Sequence, residues 1–353
     1  FFGMSGPMIS TVQNILPPQL STFVTTATVG AAVGVTAVMG LSHYLSYRPS
    51  KVSLRNAHVL VTGGSSGIGL AVATLCLHQG AGHVTILGSS PSKLEGAVAT
   101  LKAARPNESQ RVSGIAHDVS KPTVVEALKA HTKVHGAVDV LVASAGVTNV
   151  QMFEDIPLET FDRLMRVNYL GCVYSVRGVM EEMKRNKRGR IIFVSSMAGQ
   201  AGMVGYGSYS PSKFAVRGLA EALCMELCPY GIGVSVCNPP NVDTPMYEEE
   251  MKTKPLPTKL CDEGSGLFSA EDIAHDIVNK GIKKYSFFIQ SGFDGVMLGI
   301  GSIGMAPASS AMQVITETLA LGVLRFVGLF YLKSFYNICR KCAAGPNERT
   351  PLQ

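Results

Sequence analysis

The chain has 353 residues, of which 46% are hydrophobic and 16% charged, and a formal net charge of +6 at neutral pH. So apolar a composition excludes a disordered or acidic chain, and the length fits one large domain with appendages. The eight cysteines, at 76, 172, 224, 228, 237, 261, 339 and 342, lack the spacing of a disulfide framework, and Cys339-x-x-Cys342 is a lone pair with no second pair to complete a metal site.

Residues 1–47 contain no Lys, Arg, Asp or Glu, and 20–45 is long enough to cross about 30 Å of hydrocarbon. We read 1–47 as an N-terminal membrane anchor; a cleaved signal peptide competes, but no basic stretch precedes the apolar run. Gly30 and Gly34 make a small-xxx-small pair, a candidate helix-pairing face. Residues 48–54 read as a linker. Beyond them, β-like runs at 57–61, 83–87, 112–116, 138–143, 190–195, 233–238 and 285–289 alternate with longer amphipathic segments. That alternation predicts an α/β fold: a Rossmann-type, doubly wound parallel sheet, which binds ligands beyond the carboxyl ends of its strands. Gly63, Asp118, Gly146, Ser196 and Pro239 each follow a predicted strand and should gather on one edge. Lys184, Arg185, Lys187, Arg188 and Arg190 read as a solvated turn before a strand; no nucleic-acid motif accompanies them, so no nucleic acid is expected as a partner.

The catalytic domain is therefore placed at 55–290, followed by a membrane-associated C-terminal segment at 291–342 and a polar tail at 343–353. Between 292 and 335 the only charges are Asp294, Glu317, Arg325 and Lys333. A re-entrant hairpin, a span broken near Pro307, an interfacial helix and a dimer helix all remain open, the last making a homo-oligomer an option. Arg48, Lys51 and Arg55 follow the first apolar segment, and Arg340, Lys341 and Arg349 the second, so the positive-inside bias puts both flanks in the cytosol.

Two local patterns carry the chemistry. Tyr209 and Lys213 stand at i and i+4, neighbours on a helix, where a cation beside a phenol favours phenolate and lowers a pKa otherwise near 10. Ser196 stands thirteen residues earlier. The sequence Thr62-Gly63-Gly64-Ser65-Ser66-Gly67-Ile68-Gly69 joins a predicted strand to a predicted helix, where glycines and unpaired helix N–H groups accept a pyrophosphate. After the second strand, residues 88–93 contain no Asp or Glu to select the ribose 2′-OH of NAD, while Ser89, Ser90 and Lys93 can donate to a 2′-phosphate, so NADPH is the expected cofactor.

These motifs resemble those of the short-chain dehydrogenase/reductase family: T-G-G-S-S-G-I-G at 62–69, A-H-D-V at 116–119, A-S-A-G at 143–146, V-N-Y-L-G at 167–171, V-S-S at 194–196, Y-S-P-S-K at 209–213 and N-P-P-N-V-D-T at 238–244. The resemblance implies an oxidoreductase acting on a hydroxyl/ketone pair, with Asn168, Ser196, Tyr209 and Lys213 catalytic. Tyr209 would give the carbonyl its proton, Ser196 would hold that carbonyl, and Lys213 would bind the nicotinamide ribose and lower the Tyr209 pKa. Asn168 would anchor a water that relays protons to Lys213. The resemblance assigns cofactor contacts to Gly63, Ser65, Ser66, Gly67, Ile68, Gly69, Ser89, Lys93, Asp118, Val119, Gly146, Tyr209, Lys213, Pro239, Val242 and Thr244. Ala143 departs from the family's usual Asn, and Pro211 is tolerated only if the helix begins near Ser210.

More narrowly, R-G-L-A-E-A-L at 217–223, the stretch 243–256, G-M-A-P at 304–307 and L-F-Y-L-K-S-F at 329–335 resemble those family members that reduce a long-chain keto-amine lipid on the endoplasmic reticulum membrane. Most of these carry Arg where this chain has Ser89, which weakens the basis for NADPH selectivity. Residues 246–268 stand where the family keeps a mobile lid, with Glu248, Glu249 or Glu250 available to a substrate amine or simply solvated. Retinol or hydroxysteroid dehydrogenation on the same membrane is the competing enzymatic reading, and an NADPH-sensing membrane scaffold the non-enzymatic one.

Overall fold

Runs rich in Val and Ile form strands because β-branched side chains fit a pleated, buried surface. A computed structural model describes residues 35–44, 46–263 and 265–343. Its strands in chain order are β1 (His58–Thr62), β2 (His83–Gly88), β3 (Arg111–Ala116), β4 (Val140–Ala143), β5 (Gly189–Val194), β6 (Ile232–Asn238), β7 (Asn241–Val242), β8 (Leu267–Phe268) and β9 (Phe288–Gln290). The helices are α1 (Gly67–His78), α2 (Pro91–Ala104), α3 (Val124–His135), α4 (Leu158–Leu164), α5 (Gly171–Asn186), α6 (Tyr209–Leu227), α7 (Pro245–Thr253), α8 (Leu256–Asp262), α9 (Ala270–Asp276), α10 (Gly292–Gly301) and α11 (Ala311–Ala343).

Seven strands pair in parallel in the order β3-β2-β1-β4-β5-β6-β9; β7 and β8 form a separate pair. Chain order reverses beside β1, where Thr62 aligns with Leu87 of β2 on one side and Ala143 of β4 on the other. That switch point opens a crevice at the carboxyl ends of the strands. The alternation of side chains divides the core in two. Val59 and Val61 pack with Val72, Cys76 and Leu77 of α1, whereas Leu60 packs with Leu128 of α3, Val176 of α5 and Val216 of α6. Each such fully buried aliphatic side chain contributes roughly 1.5–3 kcal/mol, so both layers hold the strand ends in place.

Four of the chain's eight histidines meet at the other end of the sheet. His58 and His83 stack with ring centroids 4.2 Å apart, and His131 and His135 of α3 lie beside them. Thr85 Oγ1 lies 2.9 Å from His58 Nε2 and 3.0 Å from His131 Nε2, while His83 Nε2 lies 2.8 Å from Ser113 Oγ. Burial first, and then neighbouring imidazoles and, for His83, Arg111, lower the His83 pKa to about 3 and that of His131 to about 4, so these two rings are neutral at physiological pH.

Three expectations change. Part of the expected linker is packed: Val52 and Leu54 are buried in the core, because an apolar segment leaving the sheet edge gains by covering it. Arg190, expected in a solvated turn, is 2% exposed within β5, its guanidinium 5.2 Å from the centroid of the Tyr285 ring, a cation–π contact that offsets desolvation. The apolar segment 292–335 is not one unit. Gly299 of α10 packs on Gln290 at the end of β9, so α10 belongs to the catalytic fold, and α11 begins only after a break at 302–310 that contains Pro307.

Among the described residues α11 is the one helix long and apolar enough to cross a membrane, which is compatible with membrane association. It is continuous over 33 residues, so no re-entrant hairpin forms within it. It packs against α8 and α10 while exposing Leu319, Val323, Phe326 and Phe330. Of the expected N-terminal anchor only the helical residues 35–44 and residues 46 and 47 are described; its remainder and the polar tail from 344 lie outside the described residues.

Candidate active site

The turn after β1 is built for a close neighbour. Gly63 has φ +67°, and a Cβ there would lie 2.7 Å from Ala145 Cα; a Cβ on Gly69 would lie 2.3 Å from the Gly63 carbonyl oxygen. Only glycine lets the loop, the β4 end and the start of α1 approach this way. Ser66 stands at the N-cap of α1 without a side-chain capping bond, so the first N–H groups of the helix face the crevice with the positive end of its dipole.

The crevice is a cleft of about 680 Å³. Gly63, Ser65, Ser66, Gly67, Ile68 and Gly69 line it, with Ser89 and Lys93 at the rim after β2 and Asp118 and Val119 after β3. Gly146, Ser196, Tyr209, Lys213, Pro239, Val242 and Thr244 complete it, so the residues expected to gather on one edge do so. A glycine cradle, an uncapped helix end and an acid-free rim after β2 fit a nicotinamide dinucleotide.

The proton-handling residues lie deeper. Tyr209 opens α6, which puts Pro211 in the first turn, where its missing N–H costs little. Lys213 follows one turn later, and its Nζ donates to the Val194 carbonyl at 3.0 Å and sits 5.6 Å from the Tyr209 ring centroid. Burial lowers the Lys213 pKa to about 8. The Tyr209 phenol moves the opposite way from the sequence expectation. Burial, and then the negative charge of Glu250, push its pKa well above the usual range, against a hydrogen bond with Ser196 that lowers it. Desolvation and the Glu250 charge outweigh the Ser196 hydrogen bond, and the phenol keeps its proton at neutral pH.

Asn168 is brought close but does not line the cleft. It is 1% exposed in a π-helical turn, Met165–Leu170, between α4 and α5. Its Oδ1 accepts from Val147 N at 2.8 Å, and its Nδ2 donates to Val147 O at 3.0 Å and to Ser212 Oγ at 2.9 Å. The side chain is thus committed to holding the Gly146–Val147 loop against α6.

Sequence reasoning named Glu250 among three carboxylates available to a substrate amine but missed the cluster that holds it beneath α7 and α8. The Tyr206 phenol donates to Glu250 Oε1 at 2.5 Å, and Lys254 Nζ donates to Glu250 Oε1 at 3.1 Å and to Asp262 Oδ2 at 2.6 Å. Tyr206, Glu250 and Asp262 all line the cleft. The i, i+4 spacing of Glu250 and Lys254 was the signal that could have paired them; Tyr206 and Asp262 join them only through the tertiary fold. As for a metal, His58, His83 and His131 bring ring nitrogens within 4.8 Å of one another, but the hydroxyls of Thr85 and Ser113 already engage them.

Residues 57–255 match the family model for short chain dehydrogenases. The chain belongs to the short-chain dehydrogenase/reductase family. It is 42% identical over 316 residues to the 3-ketodihydrosphingosine reductase of Bos taurus, an alignment covering 88% of this chain and 95% of that protein. It is 44% identical over 296 residues to the 3-dehydrosphinganine reductase of Danio rerio, covering 83% of this chain and 89% of the relative. Among solved structures, a short chain dehydrogenase from Mycobacterium paratuberculosis bound to NAD superposes with a TM-score of 0.60 at 26% identity, covering 67% of this chain and 96% of that one. The protein is an oxidoreductase acting on a ketone with a nicotinamide dinucleotide cofactor.

Proposed function

We propose that this protein reduces 3-ketodihydrosphingosine to dihydrosphingosine with NADPH, on the cytosolic face of the endoplasmic reticulum membrane. The observation that carries this reading is the reach of the similarity. It extends over 316 residues, well beyond the 57–255 shared with the wider family, and so takes in segments that cover the cleft. The chemistry common to the whole family lies within 57–255, and the similarity beyond it to these reductases supports the same substrate.

The nicotinamide supplies a hydride when bound. The chain's own residues do the rest. Gly63, Ser65, Ser66, Gly67, Ile68 and Gly69 cradle the pyrophosphate, Asp118 and Val119 border the adenine, and Gly146, Pro239, Val242 and Thr244 line the path to the nicotinamide. Ser196 holds the substrate carbonyl, the Tyr209 phenol gives its proton to the carbonyl oxygen, and Lys213 holds the ribose. Asn168 fixes the Gly146–Val147 loop against α6, beside Lys213. Ser89 and Lys93 favour NADPH, since no carboxylate there repels a 2′-phosphate.

Membrane attachment suits a substrate with a long alkyl chain. Residues 1–47 act as an anchor, the catalytic fold runs from the packed Val52 and Leu54 through α10, and α11 attaches it a second time. Because α11 rests on α8 and α10, elements that carry cleft residues Asp262 and Leu298, an interfacial α11 holds the cleft beside the bilayer.

The test is turnover by the purified full chain in detergent with 3-ketodihydrosphingosine, retinal and a ketosteroid, each with NADPH or NADH. Fastest reduction of 3-ketodihydrosphingosine with NADPH is expected. Preference for retinal or the steroid reassigns the substrate, and cofactor binding without turnover of any of them makes the protein a sensor rather than an enzyme.

A further inference from the structure

Two carboxylates that line the cleft share one ammonium, which leaves a negative charge without a partner beside the reacting phenol. Lys254 is 1% exposed at its side chain, Glu250 11% and Asp262 15%, so the three charges are held out of water. Every bond made to the carboxylates comes from a donor: Tyr206 Oη and Lys254 Nζ to Glu250 Oε1, Thr148 Oγ1 to Glu250 Oε2 at 3.3 Å, and Lys254 Nζ and Asn241 Nδ2 to Asp262 Oδ2. A carboxylate oxygen accepts along two lone pairs, so Glu250 Oε2, with its one long bond, keeps capacity for a further donor. A buried surplus charge costs several kcal/mol unless a counter-charge joins it.

Of the two carboxylates, Glu250 is the one that reaches the chemistry. Tyr206, which bonds it, has its ring centroid 5.9 Å from that of Tyr209. The field of Glu250 also raises the Tyr209 pKa, whereas Asp262 acts on Tyr206 but not on Tyr209. Lys254 cannot leave to make room, since it bridges α7 to the end of α8 and its pKa is held up, against burial, by its bond to Asp262 and the charge of Glu250. Among the described residues the one cation that bonds Glu250 is Lys254, which Asp262 shares.

We propose that Glu250, positioned by Tyr206 and Lys254, accepts the substrate's ammonium group, so that this site selects ketones bearing an amine on the carbon next to the carbonyl. This rests on the reading that the substrate is an α-amino ketone. Once the carbonyl oxygen lies between Ser196 and Tyr209, an amine one carbon away is carried to the side of the cleft that holds Tyr206 and Glu250. A ketone without the amine leaves the carboxylate uncompensated and gains nothing from it. The triplet Glu248, Glu249 and Glu250 thereby divides: Glu249 pairs with Lys252 at the surface, and Glu250 turns inward.

The experiment compares kcat and KM of the full chain and of Glu250→Gln with NADPH, on 3-ketodihydrosphingosine and on the same ketone lacking the amine. The expected wild-type preference for the amino ketone is at least about tenfold in kcat/KM, the size of one charge-assisted hydrogen bond. In Glu250→Gln that ratio collapses toward one, mainly through KM. An unchanged ratio, with both ketones losing equally, overturns the assignment and leaves Glu250 a structural member of the lid. Should the variant fail to bind NADPH, the wild-type pH profile decides. KM for the amino ketone alone rises as its ammonium deprotonates if the proposal holds, and parallel profiles for both ketones overturn it. A wild type that reduces neither ketone refutes the proposed substrate class rather than the role of Glu250.

Discussion

Lys213 Nζ bonds the carbonyl of Val194 at 3.0 Å, while the Tyr209 ring centroid lies 5.6 Å away. The ammonium is therefore tied to the sheet and only adjacent to the phenol, and the two groups titrate in opposite senses, Tyr209 upward and Lys213 down to about 8. For reduction this is the useful arrangement, since the acid must hold its proton until hydride arrives. The rate of ketone reduction is expected to be flat across neutral pH and to fall as pH rises through about 8, where Lys213 loses its charge. Measured kcat/KM between pH 6 and 9.5 checks this; a rate that climbs through pH 8 would show that the phenolate, not the phenol, is the working form.

Tyr209→Phe removes the transferable proton and keeps the ring's packing against Tyr206. Loss of at least about 10²-fold in kcat is expected, the size of a general acid's contribution, with NADPH binding retained by fluorescence titration. More than about a tenth of wild-type turnover would remove Tyr209 from the role.

The parts of the site that were legible in the sequence are those whose geometry is local. Gly63 to Gly69 and Tyr209 to Lys213 each lie within one turn of chain, so spacing alone fixes what faces the crevice. The alternation of strands and helices placed Gly63, Asp118, Gly146, Ser196 and Pro239 on one edge because a parallel sheet aligns all its carboxyl ends. The Tyr206–Glu250–Lys254–Asp262 cluster was not legible, since its members meet only when α7 and α8 fold over the cleft. Nor was the burial of Arg190, whose partner Tyr285 is 95 residues away, on a part of the chain that the basic run 184–190 gave no reason to consider. The direction of the Tyr209 pKa was misjudged for a similar reason: the i+4 ammonium is a sequence feature, but desolvation is a property of the whole fold.

Ser89 stands at the exposed rim after β2, where a carboxylate would meet a 2′-phosphate. The wild type is expected to use NADPH better than NADH, and Ser89→Asp to reverse the order by repulsion. The ratio of kcat/KM for the two cofactors measures this in both proteins. Equal wild-type values would mean that Ser89 and Lys93 do not discriminate.

The histidine group makes the fold acid-sensitive well above the usual carboxylate range. His83 is 2% exposed and its native pKa is lowered to about 3, while in the unfolded chain it protonates near 6.5. The unfolded state therefore binds the extra proton between those values, and stability is fully present above about pH 6.5 and declines below it. The slope is at most about 1.4 kcal/mol per pH unit for this one group. Tm in detergent is expected to drop between pH 7.5 and 5.5, and the drop to shrink in His83→Gln. An identical pH dependence in the variant would assign the loss elsewhere.

The course of α11 decides the topology. It is unbroken from Ala311 to Ala343, so a crossing helix would carry Arg340 and Lys341 to the side opposite the catalytic domain, against the bias that keeps basic flanks in the cytosol. Crossing would also take Arg325, near the helix midpoint, into hydrocarbon at about 2.5–3.5 kcal/mol on insertion scales. An α11 lying along the interface avoids both costs and keeps its contacts with α8 and α10. Tags in the exposed turn at 106–109 and directly after Ala343 should therefore both be digested by protease on sealed microsomes. Protection of the second tag alone would establish α11 as a span, and protection of both until detergent is added would move the catalytic domain to the lumen.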